Sequence, residues 1–272
     1  MPPNHQQYGP NFVNALAKGL EILSLFSEGD LLGNQQLVEL TGLPKATVSR
    51  MTSTLVALGY LRIEPRSRKL TMGTRVLGLG ISVQRKLGLQ RCARPFMESL
   101  SNKYDLTVSM GTRDRLGVVV LEVCRPPNLS QLVVNFDAGT RLPLAKTSLG
   151  LACIVAAPIK ERTRVLDNLR GKSDDWPALR TTIERAHREY EHSGFIVSQG
   201  SLGRDVSGVA VPMNPPGANA TYAFNVAGAS ARMPLNLMRK ELGPSLRRMV
   251  QEVTEALSKI RQPQLVLTPE ND

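Results

Sequence analysis

The sequence predicts an α+β protein in two parts: a winged helix-turn-helix over residues 11–72 and a larger domain built on a curved antiparallel sheet flanked by helices. Two observations lead there. Between Asn34 and Met72 two short helical patterns flank a glycine turn and run into a basic hairpin. From Leu106 onward short alternating apolar segments are mixed with amphipathic stretches of 9–16 residues. At 272 residues the chain is long enough for two domains, and each can bury a core without disulfide or metal.

The first ten residues, with Pro2, Pro3, Gly9 and Pro10, read as a disordered leader. From Asn11, Val13, Leu16, Leu20, Leu23 and Phe26 recur at helical spacing and give a first helix ending near Gly29. Asn34 is the expected N-cap of a short second helix, Gln35 to Leu40, with Leu37, Val38 and Leu40 turned inward. Thr41-Gly42 is the turn. Pro44 then opens a helix to Leu58 whose inner face is Val48, Met51, Leu55 and Leu58, and Gly59 lies just past its end.

The outer face of that helix is the most informative feature of the chain. It carries Lys45, Thr47, Ser49, Arg50, Ser53 and Thr54, two cations among short hydroxyls with no carboxylate. A merely solvated helix mixes Glu with its Lys and Arg. Hydroxyls and cations alone suit a major groove, where Arg and Lys bond guanine edges or phosphates and Ser and Thr reach either. Leu61 to Glu64 and Leu70 to Met72 form the expected wing, with Arg66, Arg68 and Lys69 at its tip, placed to approach phosphates or the minor groove. Lys45 to Arg75 holds seven cations against one acid, Glu64, in a chain of net charge +11 and pI about 10.0. This balance points to a polyanionic partner, either nucleic acid or a membrane surface, and the clustering of cations beside the hydroxyl-rich helix favours double-stranded DNA.

Residues 73–90 read as a linker helix, apolar on more than one side and suited to a partner chain. Gly78 and Gly80 lack the third glycine and preceding strand of a dinucleotide fingerprint. The second domain is expected over 91–261. It starts with a helix from Cys92 to Tyr104 and a hairpin of Leu106–Gly111 and Gly117–Val123. A third strand over Ser130–Phe136, a turn at 137–140 and a loop from Leu142 come next. Helices follow over Ser148–Ala157, Glu161–Leu169 and Ala178–Ser193. Strands are expected over Phe195–Ser198, Val206–Met213 and Thr221–Ala229, then a long helix over Asn236–Arg261 and a frayed tail over 262–272.

Catalytic and metal chemistry is missing from these patterns. His187 and His192 are five apart, so they do not share a helix face as i, i+4 ligands would. Cys92, Cys124 and Cys153 form no C-x-x-C pair, and no nucleophile elbow or phosphate loop occurs. No catalytic residue, metal or cofactor is expected. An odd, scattered cysteine set, an amino terminus without a signal pattern and apolar runs well short of the ~20 residues of a span predict a cytoplasmic protein without membrane attachment.

Ala17-Lys18-Gly19-Leu20-Glu21-Ile22-Leu23, Leu43 to Arg50 and Leu58-Gly59-Tyr60-Leu61 resemble the IclR-type transcriptional regulators of bacteria. Gly139-Thr140-Arg141-Leu142-Pro143-Leu144, Gly150-Leu151-Ala152 and Gly194-Phe195 fall where that family's second-domain signposts lie. The resemblance implies a GAF-like effector-binding domain, a homodimer or dimer of dimers, and DNA reading by Lys45, Ala46, Thr47 and Arg50. It also implies a small-organic-molecule pocket lined by Ser148, Leu149, Ser198, Gln199, Val211, Asn225 and Ala227. The family often carries adjacent acids after Gly-Phe/Tyr, where this chain has Ser198-Gln199-Gly200-Ser201. Their loss removes repulsion toward an anion, so a carboxylic or aromatic acid is the expected effector. Two other readings set against this one are an enzyme with an accessory winged helix and a non-specific DNA binder without ligand.

Overall fold

Leu37, Val48 and Leu61, all fully buried, meet Ile22, Phe26, Leu43 and Leu70 in the core of the amino-terminal unit, residues 1–86. The computed structural model describes residues 11–26, 30–79, 88–127, 136–201, 205–215 and 220–261. Around that core lie α1 (Asn14–Ser24), α2 (Asn34–Thr41), α3 (Lys45–Ala57) and the antiparallel pair β1 (Leu61–Ile63) and β2 (Leu70–Met72). Gly42, at φ +67°, ends α2 in the left-handed conformation that an L side chain resists, and this makes the tight turn into α3.

Several expectations are corrected here. Gly33, not Asn34, is the N-cap of α2, its N–H donating to Gln36 Oε1 at 3.0 Å. The Asn34 Oδ1 instead accepts from the buried Thr52 hydroxyl at 3.2 Å and ties α2 to α3. Pro44 is the N-cap of α3 rather than its first residue. Leu40 and Leu58 are exposed, Thr52 takes the inner position between Val48 and Leu55, and Val13, Leu16 and Leu20 line an uncovered face of α1. Helical spacing finds the apolar stripe but not whether this unit supplies a surface to cover it. The wing gains a third, one-residue strand, because Leu32 and Leu70 exchange backbone hydrogen bonds at 2.9 and 3.0 Å.

Residues 75–79 are helical. The remainder of the expected linker helix up to 87, the leader, most of the third strand at 130–136 and the tail from 262 lie outside the described residues.

The second unit, residues 87–272, is ordered by a six-stranded antiparallel sheet. Its strands are β3 (Thr107–Asp114), β4 (Gly117–Cys124), β5 (Arg141–Pro143), β6 (Ile196–Ser201), β7 (Val206–Met213) and β8 (Tyr222–Ala229), in spatial order β5-β4-β3-β8-β7-β6. The loop expected at Leu142-Pro143 is thus the edge strand β5. One face buries Val108, Met110, Val209, Val211 and Phe224 under α4 (Gly88–Tyr104) and α8 (Gly243–Arg261). The carboxy-terminal helix expected from 236 is helical without a break from Leu235 to Arg261, and the difference is a π-turn within it. A turn at Leu235–Leu237 and that π-turn, at Met238–Leu242, precede α8. The opposite face buries Val118, Val120, Ile196, Ala210 and Ala223 under α5 (Ser148–Val155), α6 (Ile159–Arg170) and α7 (Trp176–Ser193). Two helical layers enclosing one sheet explain why β7 and β8 are buried along nearly their whole length. No helix among the described residues is long and apolar enough to cross a membrane.

Candidate nucleic-acid interface and effector site

α3 begins at Lys45 after its N-cap Pro44 and bears no side-chain cap and no acid in its first turn. Its amino-terminal N–H groups and the positive end of its dipole meet no carboxylate from the helix's own first turn, an arrangement that favours a phosphate. Lys45, Ala46, Ser49, Arg50, Ser53 and Thr54 are exposed, Thr47 is half-buried, and Val48 and Thr52 anchor the opposite side. Among the described residues neither Lys45 nor Arg50 has an ion-pair partner. The Thr54 hydroxyl donates to the Arg50 carbonyl at 2.9 Å, so it is already engaged within the helix.

The wing tip is organised by the one acid of the basic segment. Glu64 Oε2 accepts from the N–H groups of Arg66 at 2.8 Å and Ser67 at 2.7 Å and from the Ser67 hydroxyl at 3.0 Å. The bond from the Ser67 N–H is the main reason its carboxyl is held below the ordinary range. Arg68, at φ +57°, completes the turn in the left-handed region. Glu64 is thus occupied by backbone, and Arg66, Arg68 and Lys69 project as exposed side chains. Arg75 plays another part. Its Nη1 donates to the Leu58 carbonyl at 2.9 Å, capping the α3 C-terminus, and its guanidinium lies 5.4 Å over the Tyr60 ring.

The expected effector residues divide between the two faces of the sheet. Register places Thr107, Ala227, Gly208 and Ser198 in one cross-strand row and Ser109, Asn225, Ala210 and Ile196 in the next. Both rows face α5. Gly208 is required there, because a Cβ would come within 2.7 Å of Ser148 Oγ. Asn225 Nδ2 donates to Ser148 Oγ at 3.5 Å, and its Oδ1 accepts from the Ser109 hydroxyl. Ser148, Leu149, Ser198, Asn225 and Ala227 are therefore brought together on a floor of small and polar groups. Thr107 and Ser109, both buried, belong to it and were not anticipated. The available signal was polar residues alternating with Leu106, Val108 and Met110, a strand whose polar side is inside.

Val211 and Gln199 do not join this floor. Val211 pairs with Phe224 and packs under α4 and α8. Gln199 lies three residues after Ile196 in the strand, beside Phe195 and Val197, and opens on a cleft against α7. Strand alternation accounts for both placements: one residue along a strand changes the face.

The three cysteines are free thiols. Burial pushes Cys124 up to about 11 and Cys153 up to about 12, and Cys92 is raised for the same reason. Thiols protonated at neutral pH are poor nucleophiles and poor metal ligands, and no grouping of metal-binding side chains occurs among the described residues.

Comparison with known proteins agrees with this architecture. Residues 15–65 match the family described as the IclR helix-turn-helix domain, and residues 81–258 match the bacterial transcriptional regulator IclR C-terminal family. The chain is 64% identical over 270 residues to the HTH-type transcriptional regulator TsaQ1/TsaQ2 of Comamonas testosteroni, covering 99% of this chain and 97% of the relative. The crystal structure of an IclR family transcriptional regulator from Brucella abortus superposes with a TM-score of 0.79 at 37% identity over 93% of this chain and 95% of that one. An IclR homologue from Microbacterium hydrocarbonoxydans, crystallised with 4-hydroxybenzoate, shares the fold, with a TM-score of 0.67 at 20% identity over 90% and 98% of the two chains.

Proposed function

From the premise that this chain belongs to the IclR family of bacterial transcriptional regulators, we propose that it binds a specific operator through α3 and releases or engages it in response to a small organic acid. The observation that carries the DNA reading is the outer face of α3, where Lys45 and Arg50 stand exposed and unpaired among hydroxyls on a helix with no carboxylate. Set into a major groove, Lys45, Thr47, Ser49, Arg50 and Ser53 contact base edges or nearby phosphates, Ala46 permits close approach, and Arg66, Arg68 and Lys69 bond the flanking backbone. The uncovered stripe of Val13, Leu16 and Leu20 supports assembly as a homodimer, and a dimer of dimers would extend it. A two-fold assembly reads two half-sites spaced by about one helical turn or a multiple.

The effector reading rests on the floor beneath α5. Ser109, Ser148, Ser198 and Asn225 offer hydrogen bonds beside Leu149 and Ala227, with no acid among them, which suits a compact carboxylic or aromatic acid. That the Microbacterium fold neighbour was solved with 4-hydroxybenzoate is in keeping with this class. Binding there would shift the balance between DNA-competent and DNA-incompetent arrangements by its differential affinity for the two. The relatives matched along the whole chain are regulators, and action without catalysis, in the cytoplasm, belongs to the same proposal.

Footprinting on the DNA upstream of the chain's own gene, combined with calorimetry against a panel of aromatic and short-chain carboxylic acids, tests it. Protection of two symmetry-related half-sites, altered by at least one acid, is expected. Protection without sequence preference overturns the operator reading, and no uptake of any acid overturns the effector reading.

A further inference from the structure

A cleft of about 720 Å³ opens between α7 and the outer edge of β6, on the side away from the α5-covered floor. One wall is a single stripe of α7: Arg185, Arg188, Glu189 and His192 stand at i, i+3, i+4 and i+7. The other face of α7 buries Ile183 and Ala186 in the core, so the stripe is held toward the cleft by packing. Phe195 and Val197 form an apolar base, and Leu235 and Arg239 close the far side.

The charges in this cleft are not equivalent. Glu189 is committed twice. Its Oε2 accepts from the Val197 N–H at 3.0 Å, covering the open edge of β6, and its Oε1 accepts from Arg239 at 3.3 Å. That carboxylate therefore offsets Arg239. Of the nearby acids, Glu184 pairs with Arg180, and Glu191 lies 3.5 Å from His187 Nε2, an ion pair only when that imidazole is protonated. Among the described residues no carboxylate pairs with Arg185 or Arg188, which leaves two guanidinium groups one helical turn apart over an apolar base. Arg247, donating to the Ser193 carbonyl at 3.0 Å beside the cleft, adds to the positive potential.

We infer that this cleft is a second ligand site, separate from the floor under α5, and that it takes a small organic dianion with an apolar body, such as a ring bearing two carboxylates. Two planar forks match two carboxylates. A volume within the ~300–1,000 Å³ range of small-molecule sites accommodates the ring against Phe195, Val197 and Leu235. A duplex presents its phosphates on a convex surface with no apolar part to fill the base, so nucleic acid fits the cleft less well. The inference depends on neither the operator nor the effector under α5.

Calorimetry on the full-length chain in physiological salt tests it, with isophthalate as the probe and inorganic phosphate and benzoate as comparisons. The expected result is saturable binding of isophthalate, weaker binding of benzoate, and no saturation by phosphate. Arg185→Ala and Arg188→Ala should each weaken isophthalate at least tenfold, and Leu235→Asp should abolish its binding. Melting curves serve to show that these exposed-site variants remain folded. Ser148→Ala should leave isophthalate affinity unchanged. Affinity lost in Ser148→Ala but kept in both arginine variants overturns the second site while supporting the α5 floor. Equal binding of phosphate and isophthalate, or no saturation by isophthalate, overturns the dianion inference outright.

Discussion

Replacing Arg50 with alanine separates binding from folding. Arg50 is exposed, has no ion-pair partner among the described residues, and sits mid-helix, where Arg and Ala differ little in propensity. The free protein thus loses almost nothing, and its stability should move by less than ~0.5 kcal/mol. On DNA, one bidentate contact to a guanine edge contributes about 1–3 kcal/mol. With two copies of α3 on a two-fold operator, the loss is roughly 2–6 kcal/mol, or about 30-fold to 10⁴-fold in affinity. Fluorescence anisotropy with the footprinted operator and a scrambled duplex of equal length gives the ratio directly. Operator affinity should collapse toward the scrambled value while the melting temperature stays unchanged. Unchanged operator affinity refutes the assigned role, and equal losses on both duplexes would reduce Arg50 to a phosphate contact.

Three further outcomes follow from separate parts of the structure. Arg68→Ala, at the wing tip, should weaken operator and scrambled DNA alike and reduce the slope of log affinity against log salt by roughly 1, measured by salt titration; a loss confined to one base pair would contradict a backbone role. Gly208→Ala sets a Cβ 2.7 Å from Ser148 Oγ and 3.3 Å from the Val226 carbonyl. It should cost about 1–3 kcal/mol in denaturant unfolding, with part regained in the Ser148→Ala background, and strict additivity of the two changes would show that the contact is not shared. Cys124 and Cys153, raised to about 11 and 12, keep their protons to higher pH folded than unfolded. Their contribution is complete below the unfolded thiol pKa of about 8.5 and is lost as pH rises through 11–12. Thiol-reagent titration at pH 8 should accordingly label Cys92 well before the other two, and equal rates for all three would contradict their burial.

The two units were legible in the sequence to different depths, for a physical reason. A helix declares its outer face through composition, and the acid-free side of α3 could be read before any contact was known. What composition does not declare is whether an apolar stripe has a neighbour. Leu16, Leu20, Leu40 and Leu58 keep helical spacing with buried residues yet stand exposed, because cover must come from elsewhere in space. The one-residue pairing of Leu32 with Leu70 left no pattern at all, since a single bridge has no period.

Strands carry a harsher ambiguity. β7 and β8 were located almost to the residue, but both of their faces are buried, so alternation between polar and apolar no longer marks inside and outside. Only register resolves it. Ala210 pairs with Asn225 and Gly208 with Ala227, which leaves Val211 opposite Phe224 on the far face. The same one-step displacement carries Gln199 off the floor shared by Ser198 and Ser148 and into the arginine-walled cleft. A position error of one residue is trivial for locating β6 or β7. For deciding what their side chains touch, it exchanges a buried serine–asparagine floor for a basic cleft beside α7.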